Sequence, residues 1–184
     1  MPLVILGRDG VINQCAAPYV RSPDEWRPIP GSVEAIARLH QAGYRVLVTT
    51  NQSGIGRGIL GTADLSRIHL KLCQAVEAAG GRVDGIFFCP HQPQDECNCR
   101  KPRPGLFLDI ARRLNISLAD VLVVGDAPRD VQAARAVGAK PILLRSGDPP
   151  PIGDIAAELA DVPVFPDLAA FVDDLLGGER PRAD

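Results

Sequence analysis

Several short apolar runs in this chain end on residues that can do chemistry. Leu3–Leu6 runs into Gly7-Arg8-Asp9-Gly10, Tyr44–Thr50 into Asn51-Gln52-Ser53-Gly54, and Val121–Val124 into Gly125-Asp126, with Asp130 one helical turn on. Lys101 sits in a proline-rich stretch before the last of these runs. Carboxylates from two such ends can hold Mg²⁺, a hard cation that takes oxygen ligands. A hydroxyl (Thr50 or Ser53), a turn of exposed backbone N–H groups and a lysine can hold a phosphoryl group and offset its developing charge. Each residue alone could equally be a helix cap or a turn residue; their recurrence at the ends of the runs favours a site for a phosphorylated small molecule.

A second set of residues is spaced for a different metal. Cys89-Pro-His91 and Cys97-Asn-Cys99 supply three thiolates and an imidazole in a chain with only five cysteines. Four such ligands suit tetrahedral Zn²⁺, and a closed set is structural rather than catalytic. The five residues between His91 and Cys97 let the segment fold back on itself, and the clamp would stiffen the loop that carries Arg100 and Lys101.

Positioning these groups requires strands that end together. Strands are expected at Leu3–Leu6, Tyr44–Thr50, Asp84–Phe88, Val121–Val124 and Pro141–Leu144, with a short one near Val162–Phe165. They alternate with helical patterns. One starts at Ser32, read as its cap, with Val33, Ile36, Ala37 and His40 on one face; a second starts at Thr62, read the same way, and runs to about Ala79. A third carries Leu106, Ile110 and Leu114, a fourth begins near Arg129, a weaker one lies in the tail before Val162, and a last starts at Leu168. Strands apolar throughout and alternating with helices define an α/β fold, a Rossmann-like parallel sheet of five core strands with helices on both faces. In such sheets ligands bind beyond the carboxyl ends of the strands, where the polar residues gather. The expected organisation is a single domain over 1–176 with a zinc loop at 89–101, no large cap domain, and a frayed tail at 177–184.

Bulk properties narrow the function classes. A net charge of −2 and 4% aromatic residues argue against a nucleic-acid surface. The N-terminal MPLVILGRDG lacks a basic region and a long apolar run, and no stretch has the length of a membrane span, so the reading is a cytoplasmic protein without membrane attachment. The cysteines are then thiols or metal ligands rather than disulfides.

The segments GRDGVIN, TTNQSG, CRKP and VGDAPRD resemble the four ordered motifs of the haloacid dehalogenase-like phosphatases, over about residues 3–145. The finer text, TNQSGIGRG followed by CPHQPQDECNCRKPRPG, is similar to the branch that hydrolyses D-glycero-D-manno-heptose 1,7-bisphosphate and also resembles the histidinol-phosphate branch. Arg57-Gly58 and the PGSVEAI helix favour the heptose branch. The resemblance implies a monomeric, Mg²⁺-dependent phosphatase acting on a small phosphorylated sugar, in the supply of lipopolysaccharide-core or related sugar nucleotides. It implies a nucleophile and Mg²⁺ ligand at position 7, and Asp9 as general acid/base with its backbone carbonyl on the metal. Thr50 would hold the transferring phosphoryl group, with Asn51, Gln52 and Ser53 lining the substrate pocket. Lys101 would stabilise phosphoryl charge, Arg100 would recognise substrate, Asp126 would complete the Mg²⁺ site, and Asp130 would support it.

Position 7 departs from that pattern. An aspartate there would attack phosphorus and ligate the metal; Gly7 can do neither. Asp9 is placed for proton transfer rather than in-line attack. Cys15 stands where the heptose branch usually carries an aspartate that reaches the sugar, Ala127 where a lysine often follows the fourth motif, and the 15–18 loop is one residue longer. Three readings stay open: an altered sequence of a true phosphatase, a binding protein of the same fold without turnover, and residual hydrolysis by direct water attack. The remaining polar residues carry weaker signals: Cys73 and Trp26 read as packing residues, and His40 and His69 as structural or exposed.

Overall fold

The structure, a computed structural model, describes residues 1–15, 19–147 and 159–177. Six parallel strands form one sheet: β1 (Leu3–Gly7), β2 (Arg45–Asn51), β3 (Gly85–Cys89), β4 (Leu122–Gly125), β5 (Lys140–Leu144) and β6 (Val164–Phe165). Their order across the sheet is β3-β2-β1-β4-β5-β6. The chain thus winds outward from β1 through β2 to β3, then returns to the other side of β1 and winds the opposite way. The reversal opens a crevice at the carboxyl end of β1, between β2 and β4, where open α/β sheets bind ligands.

Alternation along the central strands sends apolar side chains to both faces. Val4, Leu6, Val46, Val48 and Val124 pack on one face, beneath α1 (Ser32–Gln41), α3 (Thr62–Ala78, which follows the short α2, Ser53–Gly56) and a C-terminal helix, α6 (Leu168–Gly177). Ile5, Leu47 and Val123 pack on the other, beneath α4 (Gly105–Leu114) and α5 (Pro128–Arg135). A strand buried on both faces needs an uninterrupted apolar run, which Leu3–Leu6, Val46–Val48 and Val121–Val124 provide. The fold class is therefore the one expected from the sequence, and the register of β1 on β2 brings Gly7 level with Thr49.

Several details differ from expectation. The sheet has six strands rather than five, because Val164 and Phe165 pair with Leu143 and Leu144 and extend the edge. Ser32 is not a cap. Gly31, at φ 81°, is the residue before α1, and the Ser32 hydroxyl donates instead to the Ile12 carbonyl at 2.6 Å. Thr62 likewise lies inside α3, whose cap is made by the Asp64 carboxylate accepting from the Gly61 N–H at 2.9 Å. On α1 Ile36 and Leu39 are fully buried, whereas His40 is half-buried. The loop between β3 and α4 contains a 3₁₀ turn, Pro93–Asp95. Trp26 is buried in the core and Cys73 packs against it, as expected. The weaker tail helix, most of the 15–18 loop and the tail beyond 177 lie outside the described residues.

Candidate functional site

Asp9 leaves β1 just past its last residue, and its carboxylate accepts hydrogen bonds on both oxygens. Oδ1 takes Arg8 Nη2 at 2.8 Å, Arg8 Nε at 3.2 Å and Asn13 Nδ2 at 3.0 Å; Oδ2 takes Gln52 Nε2 at 3.1 Å and the Thr50 hydroxyl at 3.2 Å. Burial alone would raise this carboxyl. The Arg8 guanidinium and the hydrogen bonds from Asn13, Arg8 and Thr50 outweigh it and hold the group below the usual carboxylate range. Asp9 is thus fixed as an anion at the mouth of the crevice.

Arg8 is itself buried, and a buried guanidinium needs its donors satisfied. Beyond Asp9, its Nη1 lies 3.3 Å from His69 Nε2 on α3. Arginine has no acceptor, so the imidazole nitrogen accepts, which makes His69 the neutral Nδ1–H tautomer. Burial and then the Arg8 charge lower its pKa to about 4. His69 was read from sequence as structural or exposed; it is a support of the Arg8–Asp9 pair. Nothing in the sequence links positions 8 and 69, because the contact depends on how α3 crosses the sheet.

From the other side of β1, Asp126 follows β4 and Asp130 lies in the first turn of α5. Asp130 Oδ1 pairs with Lys101 Nζ at 2.6 Å, and both side chains are about 5% exposed. Asp130 Oδ2 also accepts from the Ala127 N–H at 3.2 Å, so one carboxylate holds both the lysine and the helix start. Lys101 Nζ donates further to the Thr49 carbonyl at 3.3 Å. Asp126 is less compensated. Burial and the neighbouring Asp130 charge push its carboxyl up to about 6, with Arg129 and Lys101 only partly offsetting them. Two glycines make room for it: a Cβ on Gly10 or Gly147 would come within 2.2 Å or 2.3 Å of Asp126 Oδ2. A pocket of ≈ 40 Å³ is lined by Gly7, Asp9, Thr50, Asn51, Lys101 and Asp126, among others. The structure therefore brings together residues from all four sequence segments.

Two expected pocket residues have other partners. The Asn51 amide is engaged with the Lys101 backbone, donating to its carbonyl and accepting from its N–H, both at 3.1 Å. Arg100 directs Nη1 to the His91 carbonyl at 3.4 Å and lines a separate groove of ≈ 200 Å³ beside Pro93, Glu96 and Arg103. Gln52 lines a pocket beside Asp9, and the buried Ser53 has its Oγ 3.3 Å from the Tyr19 hydroxyl. Cys15, exposed, lines an adjoining pocket of ≈ 140 Å³ with Asp9, Tyr19 and Gln52.

Cys89, His91, Cys97 and Cys99 form a tight group. The sulfurs lie 3.2–3.5 Å apart and His91 Nδ1 is 3.2 Å from Cys99 Sγ. A tetrahedral zinc site with Zn–S bonds of about 2.3 Å has ligand separations of about 3.7 Å, close to this spacing. Burial and hydrogen bonding from Cys99 push the Cys89 thiol up to about 12. Cys97 is drawn down to about 7 against its burial, by hydrogen bonds from Cys89 and Cys99. Thiols this close cannot all ionise without a cation among them. The loop is tied to the crevice: Gln92 Nε2 donates to the Gly56 carbonyl at 2.8 Å, and the Gly56 N–H to the Pro90 carbonyl at 2.9 Å. Among the described residues no helix is long and apolar enough to cross a membrane.

The fold and the crevice are those of one hydrolase family. Residues 3–138 match the haloacid dehalogenase-like hydrolases, and the chain belongs to that family. Among its relatives, the D-glycero-beta-D-manno-heptose-1,7-bisphosphate 7-phosphatase of Bordetella bronchiseptica is 53% identical over 148 residues, 80% of this chain and 83% of that protein. The enzyme of the same name from Pseudomonas putida is 46% identical over 180 residues, 96% of this chain and all of that one. The crystal structure of the D,D-heptose 1,7-bisphosphate phosphatase from B. bronchiseptica, complexed with magnesium and phosphate, superposes with a TM-score of 0.89 at 48% identity, covering 97% of this chain and 99% of that one.

Two titrations in the crevice act in opposite senses on stability. Asp126 has a folded pKa of about 6, above its ordinary 3.8, so the folded chain takes its proton first and stability rises as pH falls through about 6. His69 moves from 6.5 to about 4, so the unfolded chain takes its proton first and stability falls through the same window. In the parent chain the two largely cancel. Urea denaturation without added Mg²⁺ should separate them between about pH 7 and pH 5, each effect being about 1–2 kcal/mol. Asp126→Asn should lose stability on acidification, and His69→Gln should gain it.

Proposed function

We propose that this chain is a sugar-phosphate phosphatase by construction, shaped for the 7-phosphate of D-glycero-D-manno-heptose 1,7-bisphosphate, with turnover limited by Gly7. One observation carries the reading. In a chain half identical to heptose bisphosphate phosphatases, Lys101, Thr50, Asp9 and Asp126 line one small pocket at the reversal of the sheet. The relatives favour a heptose phosphate over histidinol phosphate. The whole catalytic unit, from β1 to β6 and α6, would be one domain without a large cap, leaving the crevice open to a small substrate.

The donor set fits Mg²⁺. Asp126 is a buried carboxylate whose charge is under-compensated, as its raised pKa reports, and it shares the pocket with Asp9. Asp126 and the Asp9 backbone carbonyl would hold the ion, which would supply charge neutralisation at the phosphoryl oxygens. Lys101 adds a second positive charge, already oriented by Asp130, and Thr50 adds a hydroxyl donor. Preorganised donors of this kind act where charge develops and need no rearrangement. Asp9 is placed to pass a proton between the leaving oxygen and the attacking water. Gln52 and Ser53 border the sugar's approach. Arg100 would have to swing from the His91 carbonyl to reach a substrate.

Position 7 lacks the nucleophile, so the acyl-phosphate step is closed to the chain's own side chains. The second reading, a protein that binds a sugar phosphate without turnover, is favoured by that residue specifically. Phosphate release from heptose bisphosphate should be at least about a thousandfold faster for Gly7→Asp than for the parent, the scale on which single members of a catalytic unit act. A Cβ at position 7 would lie 3.0 Å from Val11 Cγ2, so Val11 must yield by only a few tenths of an ångström. An inactive Gly7→Asp chain would refute the heptose reading, and a parent as fast as the variant would refute the role given to position 7.

The Cys89–His91–Cys97–Cys99 group would hold structural Zn²⁺ and lock the loop that ends at Lys101. Metal analysis should find one zinc per purified chain, lost on Cys97→Ser along with protection of residues 89–101 from hydrogen exchange. A zinc-free parent protein would contradict this.

A further inference from the structure

The pocket at Gly7 has an unusual combination of shape and charge. It is the end of a strand at which the side chain has been reduced to a hydrogen, facing the buried Lys101 and Asp126 and the Thr50 hydroxyl. Its volume of ≈ 40 Å³ exceeds the about 10–15 Å³ that one water needs. That leaves room for a group of three heavy atoms. Arg8, Lys101 and Arg129 line the pocket against Asp9, Asp126 and Asp130, and Lys101 Nζ, nine-tenths buried, is oriented at its wall by Asp130 and the Thr49 carbonyl.

We propose that this pocket binds a small monocarboxylate, formate above all, and that the bound carboxylate serves as a diffusible nucleophile for phosphoryl transfer. The hydrolytic half rests on the phosphatase reading above; the binding half does not. A formate oxygen forms a bond to phosphorus of the monoanionic phosphate ester while the bond from phosphorus to the sugar oxygen breaks. The proton of the phosphoryl monoanion passes through Asp9 to the leaving oxygen, giving the free sugar hydroxyl and formyl phosphate. Water then attacks the formyl phosphate, one of its protons passing through Asp9 to the departing phosphate, and formate is regenerated. The net reaction is hydrolysis of the ester, with no oxidant or reductant and no net consumption of formate.

The walls set the size limit. Acetate would place its methyl where a Cβ on residue 7 would stand, 3.0 Å from Val11 Cγ2 and 3.5 Å from the Val124 carbonyl oxygen. The methyl is therefore tolerated only with movement of Val11, and a longer chain meets the β1–β4 backbone. The order of preference is formate, then acetate, with propionate excluded.

Two measurements on the parent chain test this. In Mg²⁺ and at constant ionic strength, replacing chloride by formate should raise phosphate release from heptose bisphosphate at least tenfold and saturably. Acetate should raise it less and propionate not at all, and Gly7→Asp should show no such dependence. Separately, ¹³C-labelled formate should show saturable line broadening with the parent chain that Gly7→Asp abolishes. Formate that fails to bind, or binds equally to Gly7→Asp, overturns the site whatever the rates. Formate that binds without raising the rate, while Gly7→Asp is active, overturns its role as nucleophile. If Gly7→Asp is also inactive, the heptose reading fails and the hydrolytic half with it, while the binding result still decides the site.

Discussion

The site is organised around one buried ion pair, Lys101 with Asp130 at 2.6 Å. It joins two segments that otherwise have little reason to meet: the cysteine-rich loop after β3 and the first turns of α5 after β4. Taking either charge out of water unpaired would cost several kcal/mol, so each holds the other in place. The Asp130 carboxylate closes the start of α5 through the Ala127 N–H, and Gly125 is required because a Cβ there would strike Asp130. Lys101 in turn is held by Thr49 through Nζ and by Asn51 through its backbone, which ties it to the end of β2. The cation beside β1 is therefore fixed from three strands at once, before any ligand arrives.

A second anchored pair stands opposite. Asp9 is bound by Arg8, Asn13, Thr50 and Gln52, and Arg8 is braced by His69. The two pairs differ in consequence. Lys101–Asp130 presents a positive charge to the pocket, whereas Asp9 presents a carboxylate kept ionised by its neighbours. Asp126, between them, carries the charge that nothing in the protein fully balances. On the proposed function, glycine rather than a carboxylate at position 7 would lower the negative charge facing a phosphate and leave one oxygen ligand fewer for a cation. Substrate affinity and catalysis would thereby be uncoupled: the groups assigned to hold a phosphoryl group are present, and the one assigned to attack it is not.

Much of this was legible in the sequence because chain order and strand ends coincide. In a parallel sheet, a polar residue just after an apolar run must lie at the carboxyl edge, so Asp9, Thr50 and Asp126 could be assigned to one edge without coordinates. The Cys89–His91–Cys97–Cys99 group was legible because its spacing is short and local. What was not legible depends on long-range crossing. His69 reaches Arg8 from 61 residues away, and the Asn51 amide, though at the pocket wall, is engaged by the Lys101 backbone 50 residues on. Capping was misread at Ser32 and Thr62 for a different reason. The Ser32 hydroxyl is taken by the Ile12 carbonyl, and α3 is capped from inside, the Asp64 carboxylate accepting from the Gly61 N–H one residue before Thr62.

The central claim is that a preorganised phosphoryl site persists without its nucleophile. Calorimetric titration of inorganic phosphate into the parent chain in saturating Mg²⁺ tests it most directly, with Lys101→Met/Asp130→Asn as the comparison because that double substitution removes both charges and leaves neither buried alone. The account predicts saturable binding of one phosphate per chain, weakened at least tenfold in the double variant. No binding by the parent chain, or equal binding by both, would contradict it.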